Sequence, residues 1–120
     1  MPALHPIFLP EPSSTVYEQD VLTALPQDTT GTILTYTNSG GDNLYVDRVS
    51  AEGEVDARFA IFVDTDEKDA KRSSGGQYTV DWQFPGGGLI LAAGSILEVK
   101  VEHGLPVTAD FSATLFGHRF

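Results

Sequence analysis

The side chains able to do chemistry are few and widely spaced. The three histidines, His5, His103 and His118, fall in a proline-rich start, on a strand-like run and near the last residue. None stands in a His-x-His spacing, so a cupin-like metal centre lacks its main signature. His103 shares the phase of Leu97, Val99 and Val101 and reads as a histidine satisfied at a strand end; a ligand or general base is the competing reading. Neither a Gly-x-Ser-x-Gly elbow nor a phosphate loop occurs. Gly86 to Gly88 follow a strand-like run but open no helix, so their amides lack a helix dipole to hold an anion. The acidic run Asp64-Thr65-Asp66-Glu67-Lys68-Asp69 offers the hard oxygen ligands that calcium selects. It has no glycine at the sixth position, and its twelfth residue is Gly75 rather than a glutamate. A solvated loop is the plainer reading. No catalytic, cofactor or metal residue is therefore assigned, and the chain is read as a non-enzyme.

Aromatic residues raise a different chemistry, stacking on sugar rings. Trp82 shares its phase with Val80 and Phe84, which places it in a core. Tyr45 is out of phase with Leu44 and Val46 and is the better candidate for an exposed ring.

The elements that must position these residues are strands. In Gln77 to Phe84, Tyr78, Val80, Trp82 and Phe84 alternate with Thr79, Asp81 and Gln83; in 96–103, Leu97, Val99, Val101 and His103 alternate with Ile96, Glu98, Lys100 and Glu102. A period of two belongs to a half-buried strand, and apolar faces of this kind need a second layer. Further strands are expected over Thr15 to Ala24, Gly31 to Thr37, Leu44 to Glu52, Ala57 to Asp64 and Thr108 to Gly117. The apolar phase changes between Val46 and Val49, which predicts a bulge near Asp47 and Arg48. A polar loop is expected over Thr65 to Gly76, and turns at Asn38 to Asn43 and at the three glycines. No segment has a helical period. The expected fold is all-β, an antiparallel β-sandwich of about eight strands, jelly-roll-like, over residues 15–120. Residues 1–14 hold four of the seven prolines and are expected to form an extended arm. Within it Ile7, Phe8 and Leu9 would be costly to leave in water and are expected to touch the sandwich or a neighbouring subunit.

Composition bounds the partners. A chain of 120 residues, 41% hydrophobic, is one domain with room for a real core. With no cysteine, stability comes from packing or association rather than disulfides. The start lacks the pattern of a signal peptide, and no apolar stretch approaches the about 18 residues of a membrane span. A formal net charge of −10 repels phosphate backbones and anionic bilayers, so neither nucleic acid nor membrane is an expected partner.

The order of features is GTILTYTNSGGDNLYV, SAEGEVDARFAIFVD, a polar loop, FPGGGLILAAGSILEVKVEH and a closing DFSATLFGHRF. Over roughly residues 30–117 it resembles small β-sandwich accessory proteins of tailed bacteriophage particles. The resemblance lies in turns and strand phases and transfers no catalytic residue. It implies a virion component, a capsid decoration (cement) protein or a neck, tail or fibre part, made in the host cytoplasm. It implies a homo-oligomer, a trimer being the favoured order, bound to the major capsid or tail protein. Contacts are then expected from Ile7, Phe8, Leu9, Tyr45, Arg119 and Phe120. The alternative is a carbohydrate- or host-receptor-binding module of a tail or fibre, using Tyr45 and loop residues.

Overall fold

The computed structural model describes residues 14–74 and 78–119; the proposed contacts Ile7, Phe8, Leu9 and Phe120, with the arm before Ser14, lie outside them. Nine strands form two antiparallel sheets: β1 (Ser14–Leu25), β2 (Gly31–Thr37), β3 (Leu44–Gly53), β4 (Arg58–Val63), β5 (Asp66–Arg72), β6 (Thr79–Gln83), β7 (Ile90–Leu91), β8 (Ile96–Glu102) and β9 (Ala109–Arg119). One sheet has the order β1-β9-β3-β6, with β7 also on β3; the other has the order β2-β8-β4-β5. The all-β sandwich expected from the alternating runs is therefore present.

The alternation decides what lies between the sheets. Leu97, Val99 and Val101 of β8 face Ala109, Phe111, Ala113 and Leu115 of β9, all buried, with Phe59 and Ile61 from β4 and Val46, Val49 and Ala51 from β3. Phe59 and Phe111 meet edge to face, 5.7 Å between centroids at 75°, a favoured aromatic geometry. Trp82 is 2% exposed, as its phase required. His103 is buried beneath the sandwich end. Its Nε2 lies 2.8 Å from the Leu25 carbonyl, and its Nδ1 accepts the Leu105 N–H at 3.2 Å. A carbonyl on one nitrogen and an amide on the other fix the neutral ring with its proton on Nε2, the satisfied histidine anticipated from its phase.

The bulge falls where the phase change put it. The β3–β9 register jumps between Val46 and Arg48, leaving Asp47 as the extra residue. Two expectations need correction. Tyr78 does not share the burial of Val80 and Trp82: it precedes β6 and is exposed. The expected polar loop from Thr65 is instead largely strand β5, paired with β4 from Arg58↔Arg72 to Val63↔Asp66. Six of its seven residues, DEKDAKR, are charged, so no apolar alternation announces it. Its main-chain ladder with β4 holds it, and its charges suit an edge strand.

The turn joining β4 to β5 is two residues long. Asp64 and Thr65 have φ of 50° and 73°, the signs that a type I′ hairpin turn demands at both centres. A β-branched residue is strained there. Thr65→Gly is expected to raise the unfolding free energy by roughly 0.5–1 kcal/mol, the relief of strain less the entropy of glycine; urea unfolding checks it. Asp64 is held from across the sheet. Its Oδ1 accepts the Ile96 N–H at 2.9 Å; this bond first, then Ser95 and the charge of Lys68, lowers its carboxyl below the ordinary 3.8. A lowered carboxyl contributes stability above its unfolded value and loses it as pH falls through the folded one. Asp64→Asn should therefore flatten the loss of stability between about pH 5 and about pH 2, read as the change in urea midpoint. The calcium reading fares no better in geometry: Asp64 is engaged with Ile96, and Asp69 Oδ2 accepts the Trp82 Nε1–H at 3.1 Å.

Candidate functional site

Strand pairing assembles rings that lie far apart in the chain. The registers Thr15↔His118 and Tyr17↔Phe116 join β1 to β9, and Tyr45↔His118 and Arg48↔Phe116 join β9 to β3. These residues share the outer face of the five-stranded sheet, opposite the phase of Leu115 and Gly117. Tyr17 meets Phe116 edge to face, 4.9 Å between centroids at 65°. Tyr45 lies nearly parallel to His118, 5.6 Å apart at 17°. The result is an aromatic band across one end of the sheet, beginning at its outermost strand.

The bulge gives the band a polar tip. The extra residue Asp47 brings its Oδ2 within 2.8 Å of His118 Nδ1; an ionised carboxylate only accepts, so Nδ1 carries the proton in this bond. Gly86 and Gly87, with φ of 66° and 79°, turn the chain beside the pair. A Cβ at Gly87 would stand 3.6 Å from Tyr45 Cδ1, so the bare corner leaves room next to the ring. Tyr45, Asp47, Gly86, Gly87 and His118 line a concavity of about 320 Å³. This set offers stacking and hydrogen bonding, the means of recognition. The Tyr45 phenol is the one hydroxyl among the lining residues, which include no serine, threonine or cysteine.

Of the proposed contact residues, Tyr45 belongs to this band, though half-buried against His118 rather than open. Arg119 points elsewhere. Its Nη2 donates to Asn38 Oδ1 at 2.6 Å and to the Tyr36 hydroxyl at 3.1 Å, at the end of the sandwich. Asn38, fully buried, in turn donates to the carbonyls of Asp42 and Leu91. The sequence singled out His118 as a histidine and Asp47 as a bulge position but joined neither to the other, and it gave Tyr17 and Phe116 no place in a site. The outward phase of Phe116 was visible, but its neighbours across the sheet depend on a register that one sequence does not carry.

The two flanks of the sandwich differ. On one, β5 and β6 are tied together: Trp82 donates to Asp69, and Lys71 Nζ donates to the Asp81 carbonyl at 2.6 Å. Asp81 also accepts from Arg48 Nε at 2.7 Å, and that bond is the leading cause of its lowered carboxyl pKa. The other flank carries β1 and β2. Among the described residues β1 pairs only with β9, and along most of its length it is exposed on both faces. Tyr17 and Val21, 58% and 55% exposed, stand on it. The β2 strand, GTILTYT, has no charged residue at all. Charges and bulges usually protect an edge; here the β5 edge is densely charged, and the β1 edge carries only Glu18 and Asp20, with its one irregularity late in the strand, between Leu22 and Leu25. Comparison with family models, with curated proteins and with solved structures returns no match for this chain.

Proposed function

We propose that this protein is a non-enzymatic structural subunit of a tailed bacteriophage virion. It acts as a homo-oligomer, a trimer in the favoured case, that stabilises the capsid by bridging major structural subunits. The observation that carries the assembly role is the continuity of the open β1 edge with the aromatic band of Tyr17, Phe116, His118 and Tyr45. A strand edge without a partner among the described residues, beside the exposed Tyr17 ring and three half-buried ones, is the kind of surface that protein neighbours cover. The virion setting rests on the resemblance over residues 30–117. The strand orders support the finer, jelly-roll reading: leaving out the two-residue β7, successive strands pass from one sheet to the other except at the β4–β5 hairpin, and β1 and β9 lie side by side. Many weak contacts of this kind, repeated over a particle, add through multivalency.

One observation favours a second reading. The Tyr45–His118 pair beside a concavity carrying Asp47 suits a sugar ring, as a carbohydrate- or receptor-binding module of a tail or fibre requires. Light scattering after size exclusion, run with a glycan array, separates the two. An oligomer without sugar binding is expected, and Tyr17→Ala with Phe116→Ala should weaken it while the urea midpoint stays close to the parent. A monomer that binds glycans at micromolar to millimolar concentration overturns the assembly reading in favour of the second.

A further inference from the structure

We propose that β1 receives an added strand from a partner protein, and that this strand carries lysine or arginine at alternate positions. The inference rests on the assembly reading and names its contact: which edge meets the neighbour and what chemistry the neighbour presents.

The direction of the β1 amides comes first. The Val21 N–H donates to the adjacent Asp20 Oδ1 at 2.8 Å, so this amide points away from β9. In an antiparallel strand, alternate residues turn both N–H and C=O to the same side. Tyr17 and Gln19 therefore also address the free side, along with Thr15. An incoming strand finds a row of main-chain partners already extended, which is how edge addition gains affinity.

The charge of the partner follows from what docking displaces. Asp20 stands where a neighbouring carbonyl would accept the Val21 amide. A strand that takes this amide frees the Asp20 carboxylate, and Glu18 lies two residues away on the same face of β1. A cation opposite each restores the lost interaction, whereas a carboxylate opposite either is repelled. Beside the same edge, Val21, Glu52, Gly53, Glu54, Asp110, Phe111 and Ser112 line a concavity of about 290 Å³. Its acids are held in place: Glu52 accepts from Ser112 Oγ, Glu54 from the Asp110 N–H, and Asp110 from the Ala24 N–H. Val21 and these acids lie on the face of Tyr17, opposite that of Glu18 and Asp20, so the valine or threonine between the partner's cations meets them. The β1 strand of a second copy does not fit the edge, because STVYEQDVLTAL contains acids and no base, and two such edges set carboxylates together without counter-charge.

The test uses the full chain labelled with nitrogen-15 and three blocked ten-residue peptides. One alternates lysine with valine or threonine, one replaces its lysines by glutamate, and one is the lysine peptide with alternate amides N-methylated. The lysine peptide is expected to shift the amides of Thr15 to Val21 and to slow exchange of the Val21 amide about tenfold. The glutamate and N-methylated peptides are expected to do neither. Glu18→Gln with Asp20→Asn should weaken the lysine peptide about fivefold to tenfold. The proposal is overturned if no β1 amide responds at millimolar lysine peptide, if the N-methylated peptide works equally, or if the acidic one binds as well. It is also overturned if the edge is already occupied in the free chain, by residues 1–13 or by another copy. Failure here with an oligomer seen by light scattering removes the added strand and leaves the assembly reading standing; a peptide-binding monomer does the reverse.

Discussion

Trp82→Ala should lower the free energy of unfolding by about 3–5 kcal/mol, the usual cost of emptying a large aromatic site in a packed core. The indole does more than fill space. It lies on β6, the outer strand of one sheet, and its Nε1–H donates to Asp69 on β5, the outer strand of the other, at 3.1 Å. Lys71 sits over the ring, 5.7 Å from its centroid, and its Nζ donates to the Asp81 carbonyl. The side chain thus fastens the two sheets along one flank. Trp82→Phe keeps most of the packing and loses the donor, so it should cost distinctly less, with a remainder near the roughly 1 kcal/mol of one hydrogen bond. Urea unfolding of both variants measures the split. A loss under about 1 kcal/mol for the alanine variant would mean that the flank is held some other way.

The second large effect is expected at Gly53. It pairs with Phe111 across β3 and β9, and a Cβ added there would stand 2.1 Å from Phe111 Cδ1, a separation no carbon pair tolerates. The ring cannot easily step aside, since it packs on Phe59 and lies 5.8 Å from His103. Gly53→Ala is expected to cost about 1–3 kcal/mol by overpacking, and Phe111→Ala about 3–5 kcal/mol by cavity formation. The two should not add. Once the ring is gone the new methyl has space, so the double variant should lose less than the sum of the singles. A strictly additive cycle would show that Gly53 and Phe111 do not compete for one volume.

The sandwich was legible because its central strands alternate. Leu97, Val99 and Val101, and Phe111, Ala113 and Leu115, bury every second residue, and burial of this kind leaves a trace in the sequence. Even the irregularity at Asp47 could be read, since one extra residue inverts the phase that follows it. What stayed hidden had no apolar phase to show. The β5 strand is an edge with both faces wet, held by main-chain bonds to β4 that any side chain permits. Thr65 gave no hint of its positive φ, because glycine is the residue that usually marks such a turn. The aromatic band was half visible. Phe116 could be seen to face outward, but that it would meet Tyr17, and that His118 would lie under Tyr45, depends on which residues of β1, β3 and β9 stand opposite one another. Pairing of that kind is a property of the folded ladder.

The unequal flanks set a limit on growth. Lys71 caps the Asp81 carbonyl on the far side, and β5 is lined with charge, so added strands meet least resistance on the flank of β1 and the uncharged β2. A molecule extended there turns its charged flank outward, which disfavours further growth from the β5 and β6 side.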